Sequence, residues 1–281
     1  MFPRPLISFT RIPCPDTMSM NPLQPVRWLF EAIYGLYAVI VFLILGFAAF
    51  LLVLIPGLNI NARRGIAHGV ARAFFVCAGI RIRTLNATGL PAGQCVVVAN
   101  HASYLDGVVL KGVLPARFSF VLKKEVSRVP LAGLLLRRIG SEFVDRFNRH
   151  AGGLDARRII KAADAGQALA FFPEGTFLAE PGLGKFHTGA FVIATRARLP
   201  VVPVVIRGTR RILPSGRFLP RPGRIEIEVL PTIAIPAEVE SSAAATMIRD
   251  EARARILAAL DEPDLGASGD SVATFEKVRQ Q

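Results

Sequence analysis

The hydrophobic pattern divides the chain into two regimes. Between Ala32 and Ala62 there is no charged residue, and Ile33 to Ile55 is an apolar run of about 23 residues, long enough to cross a bilayer with some tilt. Pro56-Gly57 closes that run. A second segment, Ala62 to Ala78, sets Ile66, Val70, Phe74 and Cys77 along one helical stripe interrupted by Arg63, Arg64, His68 and Arg72, the pattern of an interfacial amphipathic helix. The two segments predict either a spanning helix followed by an interfacial one or a hairpin dipping into a single leaflet. A cleaved signal peptide fits poorly, because the apolar run is too long and begins too far from Met1. Residues 1–25 are rich in proline and polar side chains without periodicity and are predicted to be unstructured, with Met18 and Met20 as alternative starts.

From about Ile80 short apolar runs alternate with helical stretches. Cys95–Ala99, Phe118–Leu122, Glu142–Val144, Ala168–Phe172, Val201–Ile206 and Ile225–Leu230 read as strands, with helices near 106–114, 131–139, 152–165, 187–198 and 241–260. Strands separated by helices predict an α/β fold: a mixed, largely parallel central sheet flanked by helices, preceded by an N-terminal membrane-anchoring helical segment. The expected division is 1–25 unstructured, 26–79 membrane-anchoring helices, 80–260 one folded domain and 261–281 a flexible tail.

Composition sharpens this. Of 281 residues 52% are hydrophobic, and the formal net charge is +13, which implies an acidic partner such as nucleic acid, anionic lipid or a phosphorylated substrate. Cys14, Cys77 and Cys95 show no paired spacing. They predict neither a disulfide framework nor a zinc site, and Cys77 and Cys95 lie in apolar surroundings where thiols are commonly buried. Arg63, Arg64, Arg72, Arg81 and Arg83 follow the apolar run whereas Arg4, Arg11 and Arg27 precede it, placing the C-terminal side in the cytoplasm.

The candidate chemistry lies in Val96-Val97-Val98-Ala99-Asn100-His101-Ala102-Ser103-Tyr104-Leu105-Asp106. A β-branched run delivers Asn100 and His101 to a strand end, and Ser103 is the expected cap of the following helix. Five residues of regular helix advance roughly 500°, so His101 and Asp106 meet only if His101 lies before the helix. In that geometry the Asp106 carboxylate accepts the Nδ1 proton and leaves Nε2 as a general base. Taken alone, the pair is also consistent with a surface helix cap beside a satisfied histidine.

Three more blocks follow in order: Gly140-Ser141-Glu142-Phe143-Val144-Asp145-Arg146, Phe172-Pro173-Glu174-Gly175-Thr176 and Val202-Pro203-Val204. Together with the His-x-x-x-x-Asp motif, this set closely resembles the glycerolipid acyltransferase family, the 1-acylglycerol-3-phosphate acyltransferases and their relatives, over about residues 80–235. The resemblance implies that 80–260 is an acyltransferase domain, with His101 as the base that activates an acceptor hydroxyl and Asp106 as its partner. It further implies that Arg146 binds the acceptor's phosphate and that Glu174, Gly175, Thr176, Asn100 and Lys123 contribute to substrate binding. Lys124 resembles the second member of a lysine pair with Lys123, and Val202-Pro203-Val204 would line the acyl path. The implied co-substrate is acyl-CoA or acyl-carrier protein, with no metal and no other cofactor. The implied setting is a bacterial inner membrane, with membrane phospholipids as partners and the catalytic domain facing the cytoplasm.

The chain departs from the family pattern twice. Relatives often carry Arg after Glu-Gly-Thr where Phe177 stands here, and Lys where His187 stands in Phe186-His187-Thr188-Gly189; Lys185 is a nearby cation. These changes keep another acceptor open, such as a lyso-ornithine lipid, and a non-catalytic lipid-binding protein of the same fold is the alternative of a different class. Six arginines and no acid between Arg207 and Arg224 read as a solvated loop or as contacts to headgroups or coenzyme A phosphates. Nucleic acid is disfavoured, since the region lacks interleaved aromatics.

Overall fold

The computed structural model describes residues 24–145, 149–236 and 239–266. Helices α1 (Gln24–Leu54) and α2 (Ile60–Cys77) precede β1 (Arg81–Leu85), β2 (Val96–Ala99), α3 (Leu105–Val113), β3 (Phe118–Lys123), α4 (Ala132–Arg138) and β4 (Glu142–Val144). The chain continues with α5 (Arg149–Asp164), β5 (Ala168–Phe171), α6 (Gly189–Arg196), β6 (Val201–Arg207), α7 (Thr209–Ile212), β7 (Arg224–Val229) and α8 (Ser241–Leu260). The seven strands form one sheet in the order β1-β7-β6-β2-β5-β3-β4, parallel throughout except for the β6–β7 pair. The fold is thus α/β with a mixed, mostly parallel sheet. The carboxyl ends of β2 to β6 share one edge, where ligands of such sheets collect.

Alternation along the strands builds two apolar layers. Val97 and Ala99 of β2 face Phe74 and Phe75 of α2 and Val109 and Leu110 of α3, whereas Val96 and Val98 face Ile159 of α5, Phe191 of α6 and Ile248, Ala252 and Ile256 of α8. Val202 and Val204 are fully buried in the first layer. They therefore serve the core and line no open acyl path. β1 escaped the sequence pattern because Arg81, Arg83 and Thr84 are exposed on an edge strand, leaving no apolar run to read.

α2 packs on the domain through a face that shares only Phe74 with its apolar stripe. Its buried face is Arg64, Ala67, Ala71, Phe74 and Phe75, and Cys77 is exposed while Cys95 is buried. Burial pushes the Cys95 thiol up to about 11. Arg64 is 3% exposed and donates to the carbonyls of Ile139, Arg117 and Gly140 at 3.0–3.2 Å and to Gln167 Oε1 at 3.1 Å. A guanidinium carries five donors in a planar fork, so one side chain ties α2 to three separate places in the chain, the Ile139-Gly140 turn, Arg117 and Gln167. His68 is half-buried, with Nδ1 3.0 Å from the Lys111 carbonyl. Residues 262–266, at the start of the stretch read as a flexible tail, are tied to the domain: Leu183 donates to the Pro263 carbonyl and Arg253 pairs with Asp264. The stretches 1–23 and 267–281 lie outside the described residues.

α1 lies along the domain. Tyr34 and Tyr37 donate to the Ala78 and Cys77 carbonyls at 2.8 and 2.9 Å, and Val53 packs with Ala67 and Ile139 near the other end. Leu29, Ile33, Leu36, Ile40, Leu43, Phe47 and Leu51 are exposed on its opposite face.

Candidate active site

Strand β2 ends at Ala99, and Asn100 pins that end. Its amide donates to the Ile206 carbonyl at 2.9 Å and accepts the Ile206 N–H at 2.7 Å, fastening β2 to neighbouring β6. Asn100 is buried and both ends of its amide are engaged, so its place here is positional. Asn100→Ala should lower stability by about 2–4 kcal/mol, because it leaves a buried N–H and a buried carbonyl without partners. An unchanged melting temperature would show that water replaces the amide.

The next five residues bring His101 onto Asp106. Asp106 sits in the first turn of α3 and is fully buried. Its Oδ2 accepts the Ala102 and Ser103 N–H groups at 2.6 and 2.8 Å and lies 2.8 Å from His101 Nδ1. A carboxylate only accepts, so this bond sets the Nδ1–H tautomer and leaves Nε2 with a lone pair. Ser103 was expected to cap the helix, but Asp106 takes most of that work by binding the two amides before it. Ser103 Oγ accepts the Leu105 N–H at 3.2 Å and donates to the Leu213 carbonyl at 2.7 Å, in the loop after α7. Aromatic rings fix the imidazole: Phe172 stacks on it at 4.3 Å and Phe177 meets it edge-on at 4.8 Å. Phe177 also packs edge-on against Tyr104 at 4.7 Å. The His101 side chain is 18% exposed, open enough to reach a substrate.

Strand β5, beside β2, delivers Glu174. Gly175 follows with φ +82°, a left-handed conformation that turns the chain back at little steric cost, and its N–H donates to the Phe172 carbonyl at 3.0 Å. Glu174 is buried; its Oε1 accepts the His101 N–H at 2.6 Å and its Oε2 the Gly184 N–H at 2.9 Å. Burial pushes its carboxyl up to about 7 against the pull of these two amides; the charge of Asp106 adds to the push and Arg210 opposes it. Gly184, which spacing did not single out, has a role here, since a Cβ there would lie 2.9 Å from Glu174 Oε2.

A carboxyl raised from 4.5 to about 7 on folding stays protonated where the unfolded chain has already ionised. Its contribution is therefore complete below pH 4.5 and is lost as pH rises to about 7, by up to about 3 kcal/mol. Thermal unfolding in detergent should show this slope in the wild type and lack it in Glu174→Gln. Equal slopes in the two proteins would remove Glu174 as the source.

The other expected residues are spread along the same edge. Lys123 is exposed at the end of β3, two strands from His101; Lys124 pairs with Asp145 at 3.2 Å; Thr176 and Lys185 are exposed. Arg146 lies outside the described residues. A cleft of about 480 Å³ opens on the outer side of β4, lined in part by Lys124, Arg137, Glu142 and Arg158. Arg158 there is paired with Glu142 at 2.9 Å and Asp155 at 3.0 Å, and three strand positions separate β4 from β2. The cleft is apart from His101. Among the described residues no group of three or more His, Cys, Asp or Glu is placed to hold a metal ion.

The chain is similar to several known proteins. An acyltransferase family model matches residues 81–207. A 1-acyl-sn-glycerol-3-phosphate acyltransferase of Pseudomonas aeruginosa is 30% identical over 183 residues, covering 64% of this chain and 68% of that protein. A chloroplastic 1-acyl-sn-glycerol-3-phosphate acyltransferase of Brassica napus is 34% identical over 122 residues, 43% of this chain and 35% of its own length. A chloroplastic enzyme of the same name from Arabidopsis thaliana is 30% identical over 159 residues, 55% of this chain and 44% of its own length. The chain thus spans well under two thirds of these two plant relatives. The crystal structure of the 1-acyl-sn-glycerophosphate (LPA) acyltransferase PlsC from Thermotoga maritima superposes with a TM-score of 0.64 at 21% identity, covering 83% of this chain and 95% of that one, and so shares the fold. With its family-model match, and with the Pseudomonas relative covered over more than two thirds of its length, this chain belongs to the acyltransferase family.

Proposed function

We propose that the protein is a membrane-associated O-acyltransferase that moves a fatty acyl group from acyl-CoA or acyl-carrier protein to the free hydroxyl of 1-acylglycerol 3-phosphate, giving phosphatidic acid. The observation that carries this reading is the His101–Asp106 pair at 2.8 Å on the carboxyl edge of the sheet, in a chain whose relatives bear that activity in their names. His101 Nε2 takes the hydroxyl proton as the acceptor oxygen attacks the thioester carbonyl. The tetrahedral oxyanion collapses, the C–S bond breaks, and the departing thiolate takes the proton back from Nε2. Buried Asp106 stabilises the imidazolium that forms between these steps. The N–H groups of His101, Ala102, Ser103 and Gly175 are already bonded within the protein, so the amides after Gly175 are the donors we assign to the oxyanion. Arg146 is assigned to the acceptor's phosphate, for which a guanidinium is suited.

Membrane attachment is assigned to α1, which is apolar enough to cross a bilayer by length and composition. Its contacts favour lying in one leaflet. Glu31 and Val53 both touch the domain, and their separation of 22 helical positions spans about 33 Å, so a spanning helix would carry one of these contacts to the far side. The assigned location is the inner membrane of a bacterium, with the domain on the cytoplasmic face.

Phe177 favours a second reading of the acceptor. Its ring, rather than the guanidinium common in relatives, stands against His101, which suits a lysolipid whose phosphate lies away from the reacting hydroxyl or is absent, such as a lyso-ornithine lipid. The test is acylation of a lysolipid panel by detergent-solubilised protein with palmitoyl-CoA, following thiol release and lipid product. Product from lysophosphatidic acid supports the first reading and product only from another lysolipid supports the second. Thiol release without acylated lipid overturns both.

A further inference from the structure

The arginine-rich loop between α7 and β7 is neither simply solvated nor free. Arg221 Nε lies 2.8 Å from Glu31 Oε2 and Arg217 Nη2 3.4 Å from it, while Arg27 approaches Oε1 at 3.3 Å. Three guanidinium groups around one carboxylate leave this cluster with a surplus of two positive charges. Close packing accompanies it: a Cβ at Gly35 of α1 would lie 2.7 Å from Leu219 Cβ and 3.0 Å from the Pro220 carbonyl oxygen, so only glycine lets the loop sit on the helix this closely. Between Arg217 and Leu219 stands Phe218, 90% exposed. A phenylalanine left in water forgoes the favourable burial that its ring would gain in an apolar environment. The nearby turns of α1 expose Trp28 and Phe30, and Arg211 and Arg224 at the two ends of the loop are exposed as well.

We propose that residues 213–223 form a second membrane contact, in which Phe218 enters the interfacial region of the leaflet that holds α1 and the surrounding arginines take the phosphates of anionic lipids. The inference rests on the reading that α1 lies in the membrane. Two features select a lipid surface over a protein partner. The exposed ring stands between Arg217 and Leu219, both of which contact the apolar helix α1, and the charge beside it is a cationic surplus matched to anionic headgroups, to which juxtamembrane basic residues are attracted. The contact also reaches the catalytic motif, because the loop begins at Leu213, whose carbonyl receives the Ser103 hydroxyl. Seating the loop on the lipid therefore holds the turn between His101 and Asp106 in register with the membrane surface from which the acceptor arrives.

Trp28 is the single tryptophan of the chain, which makes the test direct. The wild type reports on α1, and the double variant Trp28→Phe/Phe218→Trp reports on the loop. Both full-length proteins are reconstituted into vesicles of phosphatidylglycerol and phosphatidylcholine, with bromine on the upper acyl chains of the phosphatidylcholine, and compared with unbrominated vesicles. Quenching of both indoles by roughly half or more is the expected result. Quenching of Trp28 without quenching of the loop indole would overturn the loop contact and leave α1 in the membrane, whereas quenching of neither would overturn both readings. In a second measurement, Phe218→Asp should lower turnover several-fold on acceptor presented in anionic vesicles and leave turnover in detergent micelles unchanged. An equal loss in both, or in neither, would assign Phe218 no membrane role.

Discussion

Replacing His101 with alanine is expected to cut acyl transfer by on the order of 10²–10⁴-fold, the range that positioned general bases contribute. Neither neighbouring carboxyl is placed to substitute for it. Asp106 is fully buried, Glu174 is engaged by two backbone amides, and the rings of Phe172 and Phe177 that pack against the imidazole carry no base. Truncation leaves the Asp106 bonds to the Ala102 and Ser103 amides in place, so the start of α3 should survive and circular dichroism should match the wild type. The measurement is the steady-state rate of thiol release with saturating acceptor. A rate within a few-fold of wild type would end the assignment of His101 as base and revive the non-catalytic lipid-binding reading.

Asp106→Asn should cost a comparable factor in rate, on the order of 10²–10⁴, by a different route and with a stability penalty. Asparagine can keep a carbonyl where Oδ2 now gathers the His101, Ala102 and Ser103 donors. Its NH2 then falls at the Oδ1 site, which is buried and has no hydrogen-bond partner among the described residues, at a cost of about 1–3 kcal/mol. The opposite orientation sets NH2 against three donors and is worse. In either case the negative charge that stabilises a transient imidazolium is gone, so kcat should fall more than KM rises. Because the two residues act as a unit, the double variant should be little slower than the slower single variant, and additive losses would show that they work separately.

Much of this protein is visible in its residue pattern because the pattern reports burial, and burial of strands alternating with helices admits few arrangements. The helix at 241–260 falls where expected, as do six of the seven strands to within a residue or two. β1 was not legible, because an edge strand with exposed Arg81 and Arg83 carries no apolar signature and is held by backbone pairing with β7. The face by which α2 packs on the domain was not legible for a related reason. Ile66, Val70 and Cys77 outrank Ala67 and Ala71 in hydrophobicity, yet close packing of α2 on the domain favours the small residues, and Arg64 is drawn inward by carbonyl groups that only the folded chain assembles.

The same division runs through the site. Residue order alone determined that a histidine would stand at a strand end, five residues before an aspartate at a helix start, and that a Pro-Glu-Gly turn would close a second strand; these are local consequences of strand, turn and helix chemistry. The adjacency of β2 and β5 depends on sheet order and was decided only in three dimensions. From it follow the Glu174 bonds to the His101 and Gly184 amides, the rise of that carboxyl to about 7, and the aromatic walls on the imidazole. The pairing of Glu31 with Arg217 and Arg221, across nearly two hundred residues, is likewise tertiary. Local sequence sets conformation, but which charges meet depends on which surfaces the buried apolar layers bring together.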